Sequence, residues 1–438
     1  MTIRESEIIG LIRKEVKPAL GCTEPIAVAL AVSKAMEVMA ASHRCQMDWR
    51  YMGEYTVTAE VSGNILKNGM GVGIPGTGMV GLHIAAALGA VCGKSSYGLE
   101  VLHDLSDDAV IRSKAMVENG SVAINLAETD LKLYVKATVQ YDGHSAHAVI
   151  EKDHDNIIET GFDGKRDRCE TKLEEDSIEQ KSTIEYGLTV KEILEFASEV
   201  AYEDIAFILE SRTLNLALAK EGMTGKYGLR VGYAISLDAN REVFGGDFLS
   251  YAMALTAAAS DARMAGCTLA AMSNSGSGNQ GITVTMPVIA YSLRYCCSDE
   301  ELARALALSH LIAIHIKGYL GKLSALCGCV IASTGAACGL VYLRGGDYGQ
   351  ICAAIKNMIG NITGMVCDGA KEGCAMKVAS GVSSALQSAV LAREGICISA
   401  HDGIIENDIE KTIQNLGRIG SVGMQNTDNM ILDIMVCK

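Results

Sequence analysis

Prolines, aromatic residues and charged residues are all scarce in this chain of 438 residues. Only four prolines are present, so long helices can run without interruption. Aromatic residues make up 5% of the sequence, so Ala, Met, Leu and Cys must fill the space between helices. Charged residues make up 21% and hydrophobic residues 49%, which excludes a disordered chain and provides enough apolar material for two or three domains.

Basic residues are too few for a protein that binds nucleic acid. The chain carries 38 Lys and Arg against 52 Asp and Glu, a net charge of −14, and no basic patch is apparent. The first 18 residues are charged and lack the pattern of a secretory signal, so we expect a cytoplasmic protein. In a reducing cytosol its 15 cysteines would be thiols or metal ligands instead of a disulfide framework.

Cysteines and small residues are concentrated between Leu323 and Lys377. Thiolates on closely packed backbone are what an iron–sulfur cluster needs, although buried cysteines also simply fill protein cores. Within this stretch, the uncharged run Leu323–Leu343 is long enough to cross a bilayer. Its glycines, hydroxyl residues and cysteines favour a buried helix pair broken near Gly335, so we expect no membrane partner. The six cysteines of the stretch are Cys327, Cys329, Cys338, Cys352, Cys367 and Cys374.

In the N-terminal third of the chain, the helical spacing of apolar residues is followed by the alternation of apolar and polar residues that is typical of strands. Apolar positions from Ile8 to Val16 predict a first helix, and Thr23 followed by Pro25 predicts the start of a second. Cys22 would then lie at a helix N-terminus, where the helix dipole lowers the pKa of a thiol. Further on, alternation predicts strands over residues 55–61, 131–150 and 156–162, and the charged residues 163–183 suggest a mobile connection.

From residue 189 onward nearly every segment has a helical pattern. We therefore predict an α+β fold, with a mainly helical body and an inserted smaller α+β domain. The helical catalytic body comprises residues 1–43 and 186–438, and the inserted domain comprises residues 44–185. Helices with small-residue faces also indicate a homo-oligomer.

Two glycine-rich loops are candidates for ligand binding. Residues 76–81 form a GxGxxG pattern, but Pro75 precedes it and no βαβ pattern follows, so we expect a backbone-lined loop and not a dinucleotide site. Residues 273–281, SNSGSGNQG, join two predicted helices and offer backbone N–H groups and hydroxyls for an anion. A carboxylate suits this loop as well as a phosphate does, and a flexible linker is the alternative. The predicted substrate-binding residues are Ser275, Ser277, Asn279 and Gln280.

Five motifs spread over the whole chain carry a specific resemblance. They are KPALGCTEP at 17–25, GVGIPGTG at 71–78, SGSGNQG at 275–281, LSALCGC at 323–329 and CDGAK at 367–371. Together they resemble the L-cysteine desulfidase family, which is related to the alpha part of iron–sulfur L-serine dehydratases. The resemblance implies a [4Fe–4S] enzyme that converts L-cysteine to pyruvate, ammonia and sulfide without pyridoxal phosphate.

The same resemblance implies the cluster ligands. They are Cys22, Cys367 and one cysteine of the LCGC motif, for which we favour Cys329 over Cys327. Cys374 is a reserve candidate, and Cys437 is a weaker one. Three protein ligands would leave one iron open to act as a Lewis acid.

A β-elimination also needs a base that reaches the α-proton of the small amino-acid substrate. The candidate catalytic residues are Lys371 and Glu24, and His310 and His315 are further possibilities for the base. His310 and His315 are five residues apart, which is not the spacing of a shared helix face.

Three other functions remain open at this point. The closest is an L-serine dehydratase, because the sequence cannot distinguish a hydroxyl from a thiol as the leaving group. A pyridoxal-phosphate lyase would use Lys371 as its Schiff-base lysine. A non-catalytic iron–sulfur sensor would bind the cluster without turnover.

Overall fold

The computed structural model describes residues 2–42, 54–169, 186–320 and 324–437. Of these residues 61% are helical, and they include a mixed sheet of six strands, which confirms the predicted α+β class. The α-helices are α1 Ile3–Glu15, α2 Thr23–Ser42, α3 Gly63–Gly69, α4 Leu82–Val91, α5 Asp107–Glu118, α6 Val190–Glu199, α7 Tyr202–Ile205, α8 Glu210–Gly222, α9 Val231–Ser236, α10 Arg241–Phe244, α11 Phe248–Met264, α12 Gly278–Tyr295, α13 Asp299–Leu320, α14 Gly328–Leu343, α15 Tyr348–Ile362, α16 Cys374–Arg393, α17 Ile409–Arg418 and α18 Gln425–Val436. The strands are β1 Pro18–Ala19, β2 Thr56–Val61, β3 Gly73–Ile74, β4 Met79–Val80, β5 Val122–Leu126, β6 Tyr134–Tyr141, β7 His144–Glu151, β8 Ile157–Phe162, β9 Lys165–Arg168 and β10 Ala271–Met272.

The chain forms two compact units. The helical unit comprises residues 1–21, 181–368 and 372–438, and the sheet unit comprises residues 22–180 with 369–371. Helix α2, which we assigned to the helical body, belongs to the sheet unit and packs on β6, β7 and β8. This helix is apolar on nearly all sides, so its sequence did not indicate which partner would cover it.

The sheet unit is built on six strands in the order β5-β2-β6-β7-β8-β9. Strand β2 pairs in parallel with β5, and all other neighbours are antiparallel. A turn at Asp142 and Gly143 connects β6 to β7, and both residues have a positive φ. Strand β9 falls within residues 163–183, which we predicted to be a mobile connection, so that prediction is wrong for 165–168; residues 170–183 lie outside the described ranges.

Helix α2 is long and apolar enough to cross a membrane by length and composition alone. Within the sheet unit, 61% of an 18-residue apolar window of this helix is buried. It also packs against α4, in which every residue except His83 is buried. Helix α2 is therefore the central core helix of this unit.

The helical unit packs its helices closely through small residues. A Cβ added to Gly335 would lie 2.4 Å from the carbonyl oxygen of Ser309, and one added to Gly339 would lie 2.1 Å from the Ser309 hydroxyl. Helix α14 runs unbroken through both glycines, so the break predicted near Gly335 is wrong. These glycines serve the close approach of α14 to α13 instead of ending a helix.

Candidate functional site

Cys327 and Cys367 are brought together by a short antiparallel contact in the helical unit. Leu326 pairs with Val366, the Cys327 N–H donates to Met365 O at 3.0 Å, and the Cys367 N–H donates to Ala325 O at 2.7 Å. In this register both cysteines lie on the same face of the two segments. A hydrogen bond to the Cys367 thiol, together with burial, raises the pKa of Cys327 well above its ordinary value. The two side chains therefore lie next to each other.

Cys329 lies nearby, but its thiol is directed towards helix α16. Its Sγ donates to Lys377 O at 3.1 Å, and a Cβ added to Gly381 would lie 2.4 Å from the same sulfur. Burial, and then the neighbouring Cys374, raise the pKa of Cys329 to about 12. The side chain next to Cys367 is therefore that of Cys327, whereas the thiol of Cys329, which we favoured from the resemblance, faces α16.

Lys377 is a candidate site residue that the sequence analysis missed. Its ammonium donates to Val366 O at 2.7 Å and to the carboxylate of Asp368. Burial alone would lower the pKa of Lys377, but the bond to Asp368 and the nearby Cys327 and Cys367 raise it overall. Lys377 follows Cys374 by three residues on α16, a spacing that places both on one face of the helix and that could have indicated its role.

The predicted substrate loop is organised around the buried amide of Asn274. Its Nδ2 donates to His310 Nδ1 at 2.9 Å and to His310 O at 3.3 Å. Its Oδ1 accepts from Gln280 Nε2 at 2.7 Å and from Ser275 Oγ at 3.0 Å. All four hydrogen-bonding positions of this amide are used, so residues 273–281 form a fixed loop, which argues against the flexible linker.

The loop is also joined to the N-terminal segment of the helical unit. Strand β10 pairs with β1, the Ser273 N–H donates to Lys17 O at 2.8 Å, and the Ser275 N–H donates to Glu15 O at 2.8 Å. Residues 15–19, which lead into the KPALGCTEP motif, are thereby paired with residues 271–275, which lead into the SGSGNQG motif. This contact could not be predicted from sequence, because the two segments are more than 250 residues apart.

The end of the loop approaches the LCGC motif. Ser277 caps helix α12 by accepting from the Gln280 N–H at 3.3 Å. A Cβ added to Gly328, the first residue of α14, would lie 3.2 Å from Gln280 Oε1. Gln280 is thus placed beside the residue that follows Cys327. The N-termini of α12 and α14 meet here, where a helix dipole favours a negatively charged group.

Arg263 is a second residue that the sequence analysis missed. Its guanidinium is buried, donates from Nη2 to Gly21 O at 2.8 Å and from Nη1 to Asn279 Oδ1 at 3.3 Å. The sequence feature that could have indicated Arg263 is a pair of charged residues, Asp261 and Arg263, in the otherwise apolar helix α11. Buried charges of this kind are rare unless they serve a specific contact.

The two histidines considered as bases have other partners. His310 is fully buried, which lowers its pKa to about 3, and its Nδ1 accepts from Asn274. Because the Asn274 Nδ2 also reaches a carbonyl oxygen, its orientation is fixed, and the remaining proton of His310 lies on Nε2. His315 Nε2 bonds to Glu410 Oε2 at 2.7 Å, and Glu410 Oε1 accepts from the Val190 N–H. The first contact ties helix α13 to the 273–281 loop, and the second ties α13 to α17.

Cys22, Glu24 and Lys371 belong to the sheet unit. Cys22 is buried immediately before α2, and the Thr23 hydroxyl bonds to Glu24 Oε2 at 3.4 Å in the first turn of that helix. Lys371 forms a parallel bridge with Gly71. Cys437, the weaker ligand candidate, is exposed just after α18.

A family model described as the serine dehydratase alpha chain matches residues 96–433, more than three quarters of the sequence. This chain belongs to the serine dehydratase alpha chain family. It is 49% identical over 435 residues to a UPF0597 protein of Oleidesulfovibrio alaskensis, covering 99% of this chain and 98% of the relative. It is 47% identical over 437 residues to a UPF0597 protein of Phocaeicola vulgatus, covering 99% and 97%. A UPF0597 protein of Porphyromonas gingivalis is 44% identical over 444 residues, covering 100% and 99%.

The serine dehydratase family is typically associated with iron–sulfur chemistry and with lyase-like enzymes. The Cys327–Cys367 pair fits this association, because two adjacent thiols supply two sulfur ligands. Among the described residues, no group of three or more His, Cys, Asp or Glu side chains is already arranged for one metal ion. A cluster in this protein would therefore need a third ligand in addition to this pair.

Proposed function

We propose that this protein is an iron–sulfur-dependent L-cysteine desulfidase that acts without pyridoxal phosphate. It would eliminate sulfide from L-cysteine and yield pyruvate and ammonia. Its membership of the serine dehydratase alpha chain family supports a lyase of this reaction type. The observation that carries the proposal is that the Cys327 and Cys367 side chains lie next to each other, in the same unit as the ordered 273–281 loop.

In this proposal Cys327 and Cys367 hold the cluster, and Cys22 supplies the third thiolate. Cys374 and Cys329 are reserve ligands in the same unit as the pair. When bound, the cluster would supply a Lewis-acidic iron for the β-substituent of the substrate. The ammonium of Lys377 lies beside both thiols of the pair and would stabilise their thiolate forms, which are the forms that bind metal.

The 273–281 loop would bind the substrate carboxylate. Ser275, Ser277, Asn279 and Gln280 offer hydroxyl and amide groups on a loop that Asn274 holds in place. A fixed loop loses little entropy on binding a small ligand, which favours affinity for a substrate of this size. Lys371 and Glu24 remain the proposed catalytic residues, with one of them removing the α-proton.

L-Serine dehydration is the second candidate, and the description of the matching family favours it. The two reactions share removal of the α-proton and differ in whether sulfide or water leaves. Nothing in the chemistry of the described loop selects between a thiol and a hydroxyl. The substrates must therefore be compared directly.

The experiment is an anaerobic reconstitution with iron and sulfide, followed by desalting and parallel assays on L-cysteine and L-serine. Pyruvate measured with both substrates, and sulfide measured with L-cysteine, give the specificity ratio. A borohydride-treated sample tests whether a Schiff base is involved. Turnover of L-cysteine in excess of L-serine supports the desulfidase, whereas pyruvate from L-serine alone establishes the dehydratase. A bound cluster with no pyruvate or sulfide produced would indicate a non-catalytic iron–sulfur sensor.

A further inference from the structure

Arg263 connects two of the sequence motifs through its guanidinium. It is only 6% exposed, and it donates to Gly21 O and to Asn279 Oδ1 through its two terminal nitrogens. The guanidinium lies against the backbone of Gly278, where an added Cβ would be 2.1 Å from Nε. Gly278 therefore provides the space that the guanidinium occupies.

The contact with Gly21 bears on the cysteine that follows it. The Gly21 carbonyl belongs to the peptide bond that leads into Cys22, and a peptide bond is planar. A guanidinium that holds this oxygen at 2.8 Å therefore fixes the plane in which the chain enters Cys22. Gly21 has a φ of 65°. Glycine adopts this conformation at little cost but adopts others as easily, so a contact from outside the turn is needed to hold it in one conformation.

The contact with Asn279 determines which way its amide points. A guanidinium has donors and no acceptor, so the oxygen of Asn279 must face Arg263 and its Nδ2 must face away. Among the described residues, no group accepts a hydrogen bond from this Nδ2. Asn279 is half-buried in the first turn of α12, so its two N–H groups are available for a ligand with acceptor oxygens.

We propose that Arg263 is a positioning residue for the β-elimination. It holds the peptide that enters Cys22, and it turns the Asn279 amide so that its N–H groups bind the substrate carboxylate. The inference rests on the proposed function and assigns a task to a residue outside the five motifs. Lysine would not replace Arg263, because one ammonium lacks the planar fork that reaches two acceptors in fixed directions.

Three variants test the two contacts separately. Arg263→Met removes both contacts, and Arg263→Lys keeps the charge without the fork. Asn279→Asp retains an oxygen for Arg263 but removes the N–H donors. Arg304→Met is the matched control, because Arg304 is also largely buried and donates to two backbone carbonyls, those of Ala197 and Ser198, in the same unit.

The first readout is the rate at which iodoacetamide alkylates Cys22 in cluster-free protein, followed by peptide mass spectrometry. Cys22 is buried, so we expect Arg263→Met and Arg263→Lys to raise its rate at least about fivefold by local opening, and Arg304→Met to leave it unchanged. Fully buried Cys338 serves as the internal reference. Equal Cys22 rates in wild type and both Arg263 variants would overturn the first half of the proposal.

The second readout is the separation of KM from kcat in reconstituted enzyme. We expect Asn279→Asp to raise KM for the amino-acid substrate by roughly 10- to 100-fold, the loss of a hydrogen bond to a charged group, with a much smaller change in kcat. An unchanged KM would overturn the second half. If the wild type turns over neither substrate, the proposed function fails, while the alkylation rates still decide whether Arg263 holds Cys22.

Discussion

The buried carboxyl of Asp261 makes a quantitative prediction about how stability depends on pH. Burial raises the pKa of Asp261 from 3.8 to about 6, although the backbone N–H groups of Gly232 and Val231 oppose the shift. Its Oδ2 accepts from the Gly232 N–H at 3.0 Å, whereas Oδ1 has no partner among the described residues. The carboxyl therefore joins helix α11 to α9 and is more favourable in the fold when it is neutral.

The sign and size of the effect follow from this pKa. The folded protein holds the proton more tightly than the unfolded chain does, so the contribution to stability is complete below about pH 4 and is lost as the pH rises through 6. A rise of about two pKa units corresponds to about 3 kcal/mol in the free energy of unfolding. Above pH 7 the buried carboxyl is ionised, so the free energy of unfolding of wild type is lower by this full amount.

Asp261→Asn tests this reasoning because the amide is neutral at every pH and can still accept from Gly232. The assay is urea unfolding of cluster-free protein, followed by circular dichroism, at half-unit steps from pH 4.5 to 8. We expect the free energy of unfolding of the variant, relative to that of wild type, to rise by about 2 kcal/mol between pH 4.5 and 8, because about 1 kcal/mol of the total is already lost below pH 4.5. The exposed Glu242→Gln variant is the control. If the difference in free energy of unfolding between Asp261→Asn and wild type stays constant with pH, the raised pKa of Asp261 is refuted.

Three further predictions concern single contacts in the helical unit. Gly381→Ala should lower the free energy of unfolding by about 1–3 kcal/mol, measured by urea titration, because its Cβ would lie 2.4 Å from Cys329 Sγ; Ser380→Ala on the exposed face is the control. Glu410→Ala should lower the free energy of unfolding by about 3 kcal/mol in the same titration, because it leaves buried His315 and the Val190 N–H without their acceptor. An equal loss of stability in the exposed-site control Glu406→Ala would contradict this reasoning. Lys377→Met should speed the loss of iron to a chelator in anaerobic buffer, because the ammonium beside Cys327 and Cys367 is removed; Lys356→Met, on another helix of the same unit, should match wild type.

Much of the fold could be predicted from local patterns. The first helix, the start of the second helix at Thr23 and the strands near residues 55–61, 131–150 and 156–162 all appear as the sequence indicated. Each of these features depends on neighbouring residues, so a short stretch of sequence determines it. Helix α2 was placed with the wrong unit because an apolar helix fits any apolar partner, and its true partner is a sheet built from distant strands.

The candidate site was harder to predict, because it depends on contacts between distant segments. The motifs indicated both Cys327 and Cys367, but only the pairing of Leu326 with Val366 places their side chains next to each other. Lys377 was overlooked in favour of Lys371, which lies closer to Cys367 in sequence but in the other unit. Arg263 lies in no motif, and its contacts with Gly21 and Asn279 are set by tertiary structure alone.

The central claim is that Cys327 and Cys367 hold a cluster that β-elimination requires. The most direct test is to reconstitute wild type and the Cys327→Ala, Cys329→Ala and Cys367→Ala variants anaerobically, and to measure bound iron, the cluster absorbance and sulfide release from L-cysteine. Our account predicts that the Cys327 and Cys367 variants lose the cluster and the sulfide release together, while Cys329→Ala retains both. Full iron content and activity in the Cys327 variant, with loss of both in the Cys329 variant, would contradict it.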